Sequence, residues 1–147
     1  MFIKQISIFI ENTPGRVISI IRILEEQNID IRALSLSDTS DFGILRLIVS
    51  DPERACHALR ENGSTVRITE VLGIGIDDRP GGLGQAVQLL SDQGVNIEYM
   101  YAFTSPYHDH AYVILRVEDN ELASSVLQQG GVELLTPEDV YNMGKQK

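Results

Sequence analysis

The sequence predicts an α+β chain made of two β-α-β-β-α-β modules in tandem. Three observations carry this. The first is an internal repeat: shifted by 66 positions, Ile6, Ile8 and Ile10 fall on Leu72, Ile74 and Ile76, and Pro14-Gly15 falls on Pro80-Gly81. The second is period. Ile6/Ile8/Ile10 alternate as a half-buried strand does, whereas Val17, Ile20, Ile21 and Leu24 are spaced as the apolar face of a helix. The third is the second half of the repeat, at a shift of 68. There Leu45, Leu47 and Val49 match Val113, Leu115 and Val117, and Ala55, Ala58 and Leu59 match Ala123, Val126 and Leu127.

Taken in order, a strand ends near Ile10 and a helix follows the Pro-Gly step. Gln27-Asn28 and Gln93-Gly94 close the first helices with residues that tolerate the left-handed conformation. A second strand spans about 29–37 and a third about 43–50, with Asp38 to Asp41 as the turn between them. Asp51-Pro52-Glu53 opens a second helix with an Asp cap and Pro at its first position, Gly63 closes it, and a fourth strand starts near Thr65. This is the ferredoxin-like split βαβ order, with two helices on one face of an antiparallel sheet and the other face free. The modules are placed at 1–69 and 70–147. No spacer separates them, because Thr65 to Asp77 runs from the last strand of one into the first of the next. Thr136-Pro137-Glu138-Asp139 starts a short C-terminal helix.

Composition narrows the function. Of 147 residues, 43% are apolar and 22% charged, as in a globular protein. No apolar run is long enough to span a membrane. Met1-Phe2-Ile3-Lys4 lacks the order of a signal peptide, so a cytoplasmic location is expected. The net charge of −9 is uneven: residues 1–70 carry 8 basic and 10 acidic side chains, residues 71–147 carry 4 and 11. That balance excludes the basic footprint of nucleic-acid binding. The third strand, Ile44 to Val49, also lacks the aromatic and basic pattern of an RNA-recognition motif.

The candidate site is the element present twice: Asn12-Thr13-Pro14-Gly15-Arg16-Val17 and Asp78-Arg79-Pro80-Gly81-Gly82-Leu83. Asn12 and Asp78 are read as helix N-caps and the prolines as residues of the first helical turn. Free N–H groups around 13–17 and 79–83, at the positive end of a helix, suit a small carboxylate.

A module of this order resembles an ACT domain when Asn/Asp-x-Pro-Gly-x-Val/Leu follows its first strand and Gly/Asn-Ile/Val-Asn/Asp-Ile opens its second. Both copies fit, the second half-motif being Asn28-Ile29-Asp30-Ile31 and Gly94-Val95-Asn96-Ile97. The resemblance implies a small-molecule regulatory module, most often amino-acid-binding, with no catalytic residues, metal or cofactor. It implies modules packed side by side as a continuous eight-stranded antiparallel sheet with helices on one face. It also implies a ligand at the interface of paired modules, between one module's Pro-Gly loop and its neighbour's second-strand start. Asp30, Ile31, Asn96 and Ile97 then complete the site. A homodimer and a regulated enzyme or regulator are the partners implied. If pairing crosses modules, Asn12 meets Asn96 in an all-amide site and Asp78 meets Asp30 in a doubly acidic one. If each site lies within its own module, both have one acid and one amide.

Other chemistry is weaker. His108-Asp109-His110 reads as a polar turn and not as a metal site, which needs a third ligand. Cys56 and His57 are neighbours on a helix and point about 100° apart, so Cys56 is read as a buried structural thiol. Gly73 and Gly75 sit inside a strand and are read as allowing close approach of another backbone. Tyr99, Tyr101 and Phe103 share one strand face, as core packing or as an aromatic wall for a ligand. Two further function classes stay open: an assembly module without a ligand, and a small enzyme of acylphosphatase type. The second needs a phosphate loop with a catalytic Arg, which the Pro-Gly turns do not offer.

Overall fold

The computed structural model describes residues 2–38, 41–103 and 110–142. Among these the chain forms two compact units. One runs Lys4–Thr69; the other holds residues 70–142 together with Phe2 and Ile3.

The first unit follows the expected order: β1 (Ile3–Glu11), α1 (Arg16–Glu26), β2 (Ile31–Asp38), β3 (Phe42–Val49), α2 (Pro52–Glu61) and the opening residues of β4 (Thr65–Asp77). Its strands lie in the order β2-β3-β1-β4. The antiparallel register sets Ile6 opposite Leu47 and Ile8 opposite Leu45, with Leu34 and Leu36 of β2 beyond them. All these side chains project from one face. Ile20 and Leu24 of α1 and Ala55, Cys56 and Leu59 of α2 close over it to make the core.

The second unit repeats the plan with the rest of β4, α3 (Gly82–Asp92), β5 (Ile97–Phe103), β6 (His110–Val117), α4 (Asn120–Gln129), β7 (Glu133–Leu135) and α5 (Pro137–Tyr141). Its order is β7-β4-β6-β5. Leu72 and Ile74 of β4 face Leu115 and Val113 across the ladder and pack under Ala86, Leu90, Ala123 and Leu127. Phe2 joins this core. The repeat extends to an irregularity, since the register of the second strand shifts between Ile31 and Ala33 and, 66 residues on, between Ile97 and Tyr99.

Two expectations change. The fourth and fifth strands of the expected eight are one uninterrupted thirteen-residue strand, β4, so seven strands stand among the described residues. No residue between Thr65 and Asp77 breaks an extended backbone. The face opposite the helices is not uniformly exposed: Gln5, Ala33 and Ile48 of the first unit and Val71, Tyr112 and Ile114 of the second are buried there, whereas Phe9 is exposed.

Helix ends follow side-chain chemistry. Asp51 and Asp119 cap α2 and α4, accepting from the N–H groups of Arg54 at 3.2 Å and Leu122 at 3.1 Å. Asn28 and Gly94 take positive φ after α1 and α3, and Gly63 and Gly131 do so after α2 and α4. Thr136 and Asp139 form a reciprocal capping box on α5, which seats the fully buried Val140.

Candidate functional site

The two Pro-Gly loops are built alike. The Thr13 N–H donates to the Glu11 carbonyl at 2.9 Å, and the Arg16 N–H donates to the Thr13 carbonyl at 3.4 Å. The Arg79 N–H donates to Asp77 at 2.9 Å, and Gly82 to Arg79 at 3.1 Å. Gly15 (φ 91°, ψ −12°) and Gly81 (φ 89°, ψ −11°) are left-handed. Each loop is thus a three-residue turn followed by a type II β-turn, with Pro at its second position and Gly at its third.

This corrects the expected capping. Pro14 and Pro80 precede the helices, and Asn12 and Asp78 are not N-caps. The capping residues are Gly15 and Gly81, without side-chain bonds. Pro followed by Gly satisfies a type II turn, which needs positive φ at its third position, and helix geometry starts only after it.

The turns also decide which donors remain. Thr13, Arg16, Arg79 and Gly82 spend their N–H groups closing the turns. The first helical bonds come from Ser19 to Gly15 and from Gln85 to Gly81. Among the described residues, the N–H groups of Gly15, Val17 and Ile18, and those of Gly81, Leu83 and Gly84, meet no acceptor. Donors left open at a helix start suit an anion.

A cleft opens beside each loop at equivalent positions. In the first unit it is about 360 Å³, lined by Phe9, Ile10, Glu11, Arg16, Phe42 and the turn Gly63-Ser64-Thr65. In the second it is about 90 Å³, lined by Gly75, Ile76, Asp77, Gly82, Gln85, Gly131 and Val132. The α2–β4 turn and its counterpart after α4 were not foreseen as walls. The signal for them was present, because Gly63 and Gly131 align at the 68-residue shift and both take positive φ.

The second-strand starts lie elsewhere. Asp30 and Asn96 follow the C-terminal ends of α1 and α3, whose N-terminal ends carry the Pro-Gly loops. Eleven helical residues put about 16 Å between the two ends. Within one module the two half-motifs therefore do not meet, which removes the arrangement of one complete site per module. The Asp30 carboxylate is exposed and pairs with Arg32 at 3.3 Å, and its N–H donates to Ser50 Oγ at 3.0 Å. Asn96 borders an acidic hollow of about 530 Å³ with Glu70, Glu118, Asp119 and Glu121.

A family model described as an ACT domain pair matches residues 1–143. The chain belongs to that family. The chain is similar to a structurally characterised Bacteroides thetaiotaomicron protein, with 42% identity over 96% of each chain and a TM-score of 0.91. It shares its fold with the regulatory subunit of aspartate kinase from Thermus thermophilus, with 19% identity over 86% of this chain and 91% of that one and a TM-score of 0.65. The Thermus flavus counterpart has 19% identity, coverage of 87% and 92%, and a TM-score of 0.61. No curated protein matches the chain.

Of the remaining candidates of this ACT domain pair, Cys56 and the strand glycines are packing positions. Cys56 is a buried free thiol, whereas His57 points to solvent and lies 3.0 Å from Glu61 one turn on, so the two make no nucleophile–base pair. Gly73 and Gly75 admit side chains and not another backbone: a Cβ on Gly73 would stand 2.7 Å from Ile3 Cδ1, and one on Gly75 would stand 2.7 Å from Glu133 Oε2. Tyr99, Tyr101 and Phe103 are half-buried, and the Phe103 ring tilts against buried Tyr112 at 5.4 Å. His110 opens β6, while His108 and Asp109 lie outside the described residues. No described helix is long and apolar enough to cross a membrane.

Proposed function

We propose that this ACT domain pair is a regulatory sensor that binds a small amino acid at its Pro-Gly loops and carries no catalytic activity of its own. The observation that supports the reading is the twice-built Pro-Gly loop, which leaves three N–H groups unpaired at each helix start, Gly15/Val17/Ile18 and Gly81/Leu83/Gly84, with Arg16 and Gly82 of the same loops lining a cleft. A carboxylate satisfies those donors, and Asn12 or Asp78 beside them offers an acceptor to the ammonium. Because Asp30 and Asn96 stand at the far ends of their own modules, the rest of each site comes from another ACT module. Crossed pairing sets Asn12 with Asn96 and Asp78 with Asp30, which makes the two sites unequal and the all-amide one tighter. Asp30, Ile31, Asn96 and Ile97 are the residues this reading adds to the loops. The bound state is then read by an enzyme or regulator that the chain contacts.

Thermal unfolding with each of the twenty amino acids at millimolar concentration tests this. A ligand present at 100 times its Kd stabilises by about 2.7 kcal/mol. For a chain of this size that raises the midpoint by roughly 5–10 °C. The expected outcome is a shift from one or two amino acids, lost in Gly15→Val or Gly81→Val. No shift from any of the twenty would overturn the sensor reading in favour of an assembly module.

A further inference from the structure

The two units carry the same pair of helices, yet the outer faces of those pairs differ. In the second unit a groove of about 400 Å³ lies between α3 and α4, with Leu89, Leu122 and Val126 as its apolar lining and Ser125, Gln129 and Gly130 beside them. Leu122 is 45% exposed. The first unit shows that the fold does not require this. At the matching positions Arg54, His57, Glu61 and Asn62 stand for Leu122, Ser125, Gln129 and Gly130. The Arg54 guanidinium donates to the Gln27 carbonyl and pairs with Asp51 at 3.7 Å, and His57 lies 3.0 Å from Glu61. One helix pair covers its outer face with charged groups, and the other leaves apolar surface in water, which costs free energy unless something covers it.

Charge identifies the cover. Leu122 also lines the acidic hollow at the start of α4, so the groove runs into it, and Asp92 adds a carboxylate to the groove itself. The side chains of Glu70, Glu118 and Glu121 in the hollow have no partner among the described residues, while Asp119 caps α4. No lysine or arginine lines either space. The two arginines of residues 71–142 are engaged elsewhere: Arg79 with Asp77 at 3.3 Å, and Arg116 with Glu98 at 3.1 Å and the Glu70 carbonyl at 3.2 Å. A second copy seated on this face by two-fold symmetry would bring the same carboxylates against these. We propose that the outer face of α3 and α4 docks a basic amphipathic helix of a partner protein. A groove between two helices accepts the ridge of a third. Apolar residues of that helix, spaced i, i+4, i+7, cover Leu89, Leu122 and Val126, and lysines or arginines flanking them reach Asp92 and the glutamates of the hollow. The charge match orients the helix and speeds encounter, while the apolar contacts hold it. The groove uses only the carboxyl-terminal end of α3, so the inference stands whether or not the Pro-Gly loops bind an amino acid.

The probe is a synthetic helical peptide of about 14 residues, with leucines at i, i+4, i+7 and i+11 and lysines on its other face. It is titrated into the isotopically labelled full chain while amide spectra are recorded, and a second peptide carries glutamate in place of lysine. The expected result is that only the lysine peptide binds, that shifts gather at 89–93 and 120–130, and that their first-unit counterparts at 23–27 and 52–62 stay still. Leu122→Gln, which keeps the charge and removes the apolar contact, should weaken binding about tenfold. A melting curve reports whether that variant folds, and the mapping on the unsubstituted chain decides without it. Shifts scattered over the acidic surface, equal binding of both peptides, or no binding would overturn the proposal, as would binding unchanged in a folded Leu122→Gln. Self-association of the chain without peptide, abolished by Leu122→Gln in sedimentation, would overturn it in favour of a second copy.

Discussion

Gly81 and Gly82 are neighbours in one loop, and alanine at each should fail for a different reason. Gly81 sits at φ 89° with open space where a Cβ would go. Its substitution costs the left-handed penalty of an L-residue, about 1–2 kcal/mol. Gly82 has an ordinary backbone, yet its Cβ would stand 2.2 Å from the Asp77 carbonyl oxygen. That oxygen accepts the Arg79 N–H at 2.9 Å, and Asp77 is held in register opposite His110. Alanine at 82 therefore has to move backbone that is already committed. The cost is the upper end of overpacking, about 3 kcal/mol, with the lost turn bond of about 1 kcal/mol offset by a similar gain in helix preference. Midpoints should fall by roughly 2–8 °C for Gly81→Ala and 6–12 °C for Gly82→Ala. Asparagine separates the causes. Asn tolerates left-handed geometry, so Gly81→Asn should be milder than Gly81→Ala, whereas Gly82→Asn should be no milder than Gly82→Ala. Melting curves of the four variants settle it. Gly82→Ala milder than Gly81→Ala, or Asn better than Ala at both positions, would refute the turn geometry as the cause.

Other predictions follow from single contacts. The Glu53 carboxyl is held below its ordinary value of 4.5, first by the hydrogen bond from Lys4 Nζ at 2.6 Å. A depressed carboxylate stabilises the fold above its unfolded pKa and loses that contribution as pH falls through the folded one. Glu53→Gln should melt slightly below the parent at pH 7, by the 1 kcal/mol or less typical of exposed pairs, and the two curves should converge as the pH falls through the lowered folded pKa. Cys56, about 3% exposed, should react with a thiol reagent only at the rate of unfolding, with full labelling in denaturant. Thr136→Ala removes the hydroxyl that accepts the Asp139 N–H at 3.1 Å, leaves the Thr136 N–H bond to Asp139 in place, and should cost about 1 kcal/mol, read as a lower urea midpoint. Gly130→Ala should be cheaper than Gly82→Ala, because the atoms it crowds are the mobile end of Leu89 and not backbone.

The fold was legible because periodicity and punctuation agreed. Ile6/Ile8/Ile10 and Val17/Ile20/Leu24 assign a strand and a helix without tertiary help, and Asn28, Gly63, Gly94 and Gly131 stop helices by the same left-handed geometry that their types suggest. The loops were located but their backbone was misread, since Pro serves equally at a helix start and in a turn, and only the Gly after it decides. The join at Thr65 to Asp77 was legible as a run without a spacer, but nothing in it showed that the two expected strands are one, because β residues continue across it without a break. The unequal clefts were out of reach. Arg16 reads as one charged residue among many until Phe9, Phe42 and Ser64, remote in sequence, are set around it.

Phe2 and Ile3 belong to the second unit, which they reach from the far side of the first unit's sequence. Phe2 packs into a core with Val126 and Val132, and Ile3 lies over Gly73 near Leu135, although the whole first unit follows them directly in sequence. The first-unit helices can close over their own strands while these two side chains still wait for partners made more than a hundred residues later. Closing that loop is slow compared with the local pairings that precede it. A fragment starting at residue 70 would have to fold without these two side chains.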